Sequence, residues 1–430
     1  MQTLAIFKED VILESGKRFP YFQTRRNDMF KNSMKTALIV LIALTLVGCT
    51  AKPKEEIPEG PVVLKVWGSQ EDQAFLQERI DAFKLTQPKI EWDITLGVVS
   101  EADAYAQVTQ DLDTAADVFS FANDQLFDLV NAEALYEITR NKERIVKDNA
   151  AGSVDGSSVG DKLYGYPMTA DNGYFMYYDK SVFTEDDVKS LDKMLEVATA
   201  KNKKVFMDVS NGWYIASFFL GAGGTLDLKD GKQVTDFNNA TGVSVGEAIR
   251  KFTASPAFLT GDDTVLTGGF GDDIAAGVSG TWTAEAIQAK LGDNFEATKL
   301  PEFTVDGKAT QMASFGGYKV MGVKTSTKHP IQAMDLADFL TNEETQLKRF
   351  EARGYGPSNT KASEAQAVKD NKPLSALSLQ AEFSRSQKNV SGSYWSPAEA
   401  FGTAMEDKST EDMKKLLDQM VTQIQEAATE

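Results

Sequence analysis

Apolar residues recur along the chain in two alternating patterns. Val62 to Trp67 (VVLKVW) is short and rich in β-branched residues, which predicts a strand that Gly68-Ser69 ends. From Gln73 to Thr86, Phe75, Leu76, Ile80 and Phe83 fall on one helical face, and Pro88 stops the helix. Ile90 to Leu96 alternates apolar and polar, as a half-buried strand does. A helix over 101–115, a strand over 117–121 and a helix over 124–130 follow. After Pro167 the pattern resumes with strands at 173–178 and 205–207 and helices at 213–220, 243–253 and 283–291. Phe315 to Val323 (FGGYKVMGV) reads as a strand with paired glycines. The last helix puts Met413, Leu416, Leu417, Met420, Val421 and Ile424 on one core-facing stripe. Strand–helix alternation predicts mostly parallel sheets covered by helices on both faces. Two α/β lobes suit this length better than one.

Composition narrows the chemistry. The chain has 430 residues, 42% hydrophobic and 25% charged, a soluble globular mix. Its net charge of −18 argues against nucleic acid as a partner, because a phosphate backbone is held mainly by Lys and Arg. With one Cys and one His, an internal disulfide is impossible and a Cys/His zinc site lacks ligands. No metal or other cofactor is expected. His329, before Pro330, reads as a surface residue at a helix start, and Gly261-Asp262-Asp263 and Gly271-Asp272-Asp273 read as turns rather than calcium loops.

Residues 37–47 (ALIVLIALTLV) are apolar apart from Thr45 and too short for a spanning helix, which needs about 20 residues. Lys31 and Lys35 precede the run and Gly48 follows it, the order of a secretory signal. Leu46-Val47-Gly48-Cys49 resembles the lipobox of bacterial lipoproteins. That resemblance implies a signal peptide over 1–48, lipidation of Cys49 with palmitate-type acyl chains, and attachment to the extracellular face of a bacterial membrane, of the Gram-positive type. Glu9, Asp10, Glu14 and Asp28 do not suit a compact basic leader, so translation is expected to start at Met29 or Met34, with a real extended leader as the alternative. Residues 49–60 read as a flexible tether.

Several later segments carry a second resemblance. Leu64-Lys65-Val66-Trp67, the block Ala116 to Gln125 followed by Leu135-Tyr136-Glu137-Ile138-Thr139, Tyr164-Gly165-Tyr166-Pro167 with Tyr174 to Tyr178, and Gly280-Thr281-Trp282 stand in the order and spacing of another family. Over residues 62–430 the chain resembles the extracellular solute-binding proteins of ABC sugar importers, and within them the maltose/malto-oligosaccharide-binding group. The resemblance implies a periplasmic-binding-protein type II-like α/β fold, with two discontinuous lobes joined by a hinge around a ligand cleft. The lobes are expected over 61–170 with 318–355, and over 171–317 with 356–430. The resemblance further implies a monomer that hands an oligosaccharide to membrane permease subunits, without catalysis.

A neutral sugar offers hydroxyls, which Asp, Asn and Gln can satisfy, and flat C–H faces, which aromatic rings cover. Such residues cluster where α/β ligands sit, at strand ends and helix starts. The candidates are Ser69, Glu71 and Asp72 after the first strand; Phe121, Asn123, Asp124 and Gln125 after the 117–121 strand; Asp171 and Asn172 at the crossover; Asn211, Trp213 and Tyr214 at a helix start; and Trp282 and Trp395 in turn contexts. Trp92 alternates with Ile90, Ile94 and Leu96 and reads as core. Relative to the maltose-binding group, a Lys and an Arg beside the contacting acids look replaced by Asp72 and Gln125, and two Glu by Asn211 and Asp171. A longer α-glucan and a galacto- or arabinogalacto-oligosaccharide therefore stay open beside maltose. From another class, a glycoside hydrolase could use Asp124 and Asp171 as its paired acids.

Overall fold

Val62, Leu64 and Val66 are fully buried while Val63 is exposed, the alternation that a strand with one covered face imposes. In the computed structural model, which describes residues 58–229 and 232–426, this strand is Val62–Gly68. Trp92–Val98 and Val118–Ala122 flank it in parallel. Ser314–Val323 runs antiparallel to Val118–Ala122 and pairs in turn with Tyr166–Gly173, antiparallel, and Ser384–Ser386, parallel. A second sheet has the order Phe258–Leu259, Lys204–Phe206, Ile274–Ser279, Phe175–Asp179, Phe295–Thr298. Its first two pairings are parallel and its last two antiparallel.

Both sheets are therefore mixed, which corrects the mostly parallel expectation. Parallel neighbours need a crossover element between them. Tyr166–Gly173 and Ser314–Val323 instead carry the chain out of the first lobe and back, side by side, so they run in opposite directions. The expected lobe boundaries at 170/171 and 317/318 fall inside these two strands. Past the expected boundary at 355, Asn359 N–H still donates to Gln346 Oε1 of the first lobe (2.7 Å).

Each lobe has its own core. Leu64, Ile80, Phe83 and Leu336 pack in the first, and Val205, Phe218, Ile249 and Met420 in the second. Burying each such side chain is worth about 1.5–3 kcal/mol. Trp92 packs on Phe83 (ring centroids 4.9 Å), as a core residue. The helix expected over 101–115 is only Ala104–Gln110, because Asp111 Oδ1 accepts the Asp113 and Thr114 N–H groups (3.1 and 3.4 Å) and turns the chain. Among the described residues no helix is long and apolar enough to cross a membrane. The expected leader, Cys49 and most of the tether lie outside the described residues.

Candidate functional site

Tryptophans build the second-lobe side of the cleft. Asn211 Oδ1 accepts the Trp213 N–H (2.9 Å) and caps the helix Gly212–Gly221. Trp213 therefore leaves the first turn half-buried, edge-on to Tyr174 with centroids 4.6 Å apart. Trp282 stands in the turn Thr281–Thr283 that follows Ile274–Ser279. Its ring lies so close to Gly280 that any Cβ there would collide with it. Its indole N–H donates to Asp263 Oδ2 (2.7 Å), and Ser279 O–H donates to Asp263 Oδ1 (3.1 Å). Burial pushes the Asp263 carboxyl above its usual range. The Trp213 and Trp282 centroids are 5.9 Å apart, with planes inclined by 36°. Trp395 packs edge-on against Tyr394 (5.0 Å) and Phe315 (5.9 Å). Tyr394 O–H donates to Gly212 O (2.9 Å), so Trp395 backs the helix start that bears Trp213.

The first-lobe side carries charge. Where Val118–Ala122 ends, Asn123–Gln125 form a tight turn. Asn123 Oδ1 accepts the Tyr318 N–H (2.9 Å). Asp124 is half-buried, and its Oδ1 accepts from Gln387 Nε2 (2.8 Å). Burial raises its carboxyl to about 7, and the like charge of Asp128 adds to the rise. Lys319, from Ser314–Val323, places Nζ 3.6 Å from Glu101 Oε2. The same ammonium sits 5.5 Å from the Trp282 ring centroid and 5.0 Å from that of Tyr355. Burial is the largest single influence on the Lys319 pKa and would lower it, but the charges around it, Glu101 first and then Tyr355, Asp171 and Glu71, together outweigh it and hold the ammonium above its usual range. Glu71 is exposed, and its charge acts on both Lys319 and Asp263.

At the crossover, Asp171 is 2% exposed, and its Oδ2 accepts from Thr281 Oγ1 and from the Gly356 N–H (both 2.8 Å). Asn172 pairs with Gly317 in the strand ladder. The structure thus brings Asp124, Asn211, Trp213 and Trp282 together, with Asp171 joined to the Trp282 turn through Thr281 and Trp395 behind.

Other candidates serve the fold. Phe121 is fully buried among Phe119, Leu126 and Leu135 and is core. Gln125 uses its amide on backbone: Nε2 donates to Glu101 O and Ala102 O (2.7 and 2.9 Å), and Oε1 accepts the Tyr105 N–H (2.7 Å). It pins the loop that carries Glu101. Asp72 is 2% exposed, ion-paired to Arg349, with Arg353 Nε 3.9 Å away. Ser69 is buried, and its carbonyl accepts from Gln73 Nε2 (3.0 Å). Tyr214 is buried against Tyr174 and Trp213.

The sequence reading missed Gln387, Lys319, Glu101 and Asp263. Lys319 did leave a signal, a single cation inside an otherwise uncharged strand. Asp263, read as part of a turn, instead anchors Trp282. A groove of about 630 Å³ between the helices Leu191–Ala200 and Ala240–Thr253 is mostly apolar and includes none of these residues. Among the described residues no cluster of three or more His, Cys, Asp or Glu could hold a metal ion.

Two α/β lobes crossed by paired strands, with rings on one side and charge on the other, define a two-lobed binding protein. Residues 78–376 match the model of the bacterial extracellular solute-binding proteins, and the chain belongs to that family. A solved structure described as being with acarbose is 31% identical, with a TM-score of 0.78 over 86% of this chain and 100% of that one. The maltodextrin binding protein MalE1 from L. casei BL23, without ligand, is 25% identical, with a TM-score of 0.72 over 85% and 100%. The Thermus thermophilus maltotriose binding protein, bound with maltotriose, shares the fold at 18% identity, with a TM-score of 0.73 over 85% and 99%. No curated protein matches the chain in sequence. The family and these named neighbours are binding proteins, not enzymes.

Proposed function

We propose that the protein captures a neutral malto-oligosaccharide between its lobes and delivers it to the permease subunits of an ABC importer. It works as a monomer, held by lipid on Cys49 at the extracellular face of the membrane. One observation carries the sugar reading: Trp213 and Trp282 stand 5.9 Å apart, the first joined through Gln387 to the carboxylate of Asp124 and the second bonded to that of Asp263. Rings that cover C–H faces beside acceptors for hydroxyls are what a pyranose requires. Neighbours described as with acarbose, named as a maltodextrin binding protein and bound with maltotriose support an α-glucan. The hydrolase alternative has weaker footing, because Asp171 is buried and engaged by Thr281 and Gly356 rather than free to attack a bond.

Calorimetry of the soluble part against maltose, longer malto-oligosaccharides and galacto-oligosaccharides tests the ligand. Binding confined to the galactose series, or to none, overturns the reading. For the anchor, a palmitate analogue should label the full chain and leave Cys49→Ala unlabelled.

A further inference from the structure

Gln387 is 2% exposed and touches both sides of the cleft. Its Nε2 donates to Asp124 Oδ1 (2.8 Å), and its Oε1 accepts from Trp213 Nε1 (3.1 Å). An indole N–H only donates and an ionised carboxylate only accepts, so a single orientation of the amide satisfies both neighbours. Space for it comes from Gly317, where a Cβ would lie 2.6 Å from both Gln387 Cδ and Asn123 Oδ1. Gln387 opens the turn Gln387–Asn389, directly after a strand fixed in parallel to Ser314–Gly316. Next to it, Lys388 Nζ donates to the carbonyl and carboxylate of Asp155 (2.8 and 2.9 Å). The amide is therefore anchored by backbone and neighbours before any ligand arrives.

We propose that Gln387 is a positioning residue of the cleft, whose buried amide couples the Asp124 carboxylate of one lobe to the Trp213 ring of the other so that one pyranose meets both in a fixed relation. This rests on the carbohydrate reading above. The bond from Gln387 Nε2 fixes how the Asp124 carboxylate is turned, and the bond to Trp213 Nε1 fixes how the indole is turned. A ring laid on Trp213 then finds its acceptor at one place on its rim. Sites built to bond a hydroxyl discriminate strongly against rings that lack it.

The test uses Gln387→Met and Gln387→Glu, with maltotriose as the calorimetric probe, each read against the parent at about pH 5.5 and pH 8. Met keeps the length and removes both bonds. Glu keeps an acceptor for Trp213 but sets a second acid against Asp124. A lost hydrogen bond to the ionised Asp124 carboxylate leads us to expect a loss of about tenfold for Gln387→Met at about pH 8, and a smaller loss at about pH 5.5, where the carboxyl holds its proton. Gln387→Glu should lose more at pH 8 than at pH 5.5, because a proton shared by the two acids restores the bond. The other charges around the amide are Asp128 on the following helix and the Lys388–Asp155 pair. Parent-like affinity in both variants, or an equal pH-independent loss in both, overturns the coupling. A second reading needs no ligand. The ¹⁵N–¹H resonance of the Trp213 indole should follow the Asp124 titration in the parent and not in Gln387→Met. Identical titration in both overturns the proposal, whereas a parent that binds no maltotriose overturns only the carbohydrate reading.

Discussion

The two sides of the cleft are built from opposite materials. On the first lobe, Lys319 meets Glu101, and beneath the rim Arg349 meets Asp72, both pairs nearly excluded from water. On the second lobe, Trp213, Trp282 and Trp395 are half-buried rings, and the indole N–H groups of the first two are tied to Gln387 and Asp263. A buried charge must have a partner, so the first-lobe side is largely committed to holding itself together. A ring anchored by its N–H is oriented while part of its surface stays open. Stability and binding should therefore separate by lobe.

Asp72→Ala tests the first half of that contrast and has the largest expected effect. Arg349 is 1% exposed, and removing its partner leaves an uncompensated charge in the core. Breaking such a pair costs about 3–5 kcal/mol of folding stability. Urea unfolding should register that loss while maltotriose affinity stays near that of the parent at low denaturant. A loss below about 1 kcal/mol would mean that Arg349 finds water or another acceptor.

The second lobe should give the reverse. Trp213→Ala and Trp282→Ala are each expected to weaken maltotriose binding by about 1–3 kcal/mol, the scale of burying a large side chain, with a smaller change in unfolding. Gly280→Ala offers a finer probe, because it keeps the Trp282 ring and pushes it off its seat. Calorimetry should place Gly280→Ala close to Trp282→Ala. Parent-like affinity in both tryptophan variants puts the site elsewhere.

This division was only partly legible in the sequence. Periodicity gave the helices Gln73–Thr86 and Met413–Glu426 because burial repeats at the helical period. It carries no strand direction, so the mixed sheets stayed hidden. Phe121 reads as a ligand candidate because it ends a strand, but strand faces alternate. Ser120 points its hydroxyl to Glu101 (3.1 Å) while Phe119 and Phe121 pack together in the core at 5.7 Å. Trp213 and Trp282 stood out as bulky residues beside turn signals. Gln387 lies 174 residues from Trp213 in a polar stretch with no pattern, so only the folded chain reveals its role.

The smallest effect separates charge from shape at Asp124. Burial raises this carboxyl from 3.8 to about 7, the opposite of a salt-bridged acid. Below about pH 4 it is protonated in both folded and unfolded chains, so it contributes nothing to the difference between them. From about pH 4 to 7 the unfolded chain gives up its proton while the folded chain keeps it, and stability falls as pH rises. Above about pH 7 the folded chain carries the buried charge at a constant penalty. Asp124→Asn keeps an acceptor for Gln387 Nε2 and removes the charge. The variant should therefore gain on the parent through that window and level off above it, by about 1 kcal/mol once solvent screening of a half-buried group is allowed for. Thermal melts at about pH 4.5, 6 and 8 would register the trend. A gain that is flat with pH would trace to packing and leave the carboxyl unperturbed. Its affinity for maltotriose should move the other way, because an amide is a weaker acceptor for a sugar hydroxyl than a carboxylate. Asp124 would then be the one first-lobe residue that behaves as the second-lobe tryptophans do, and that places it on the ligand side of the comparison.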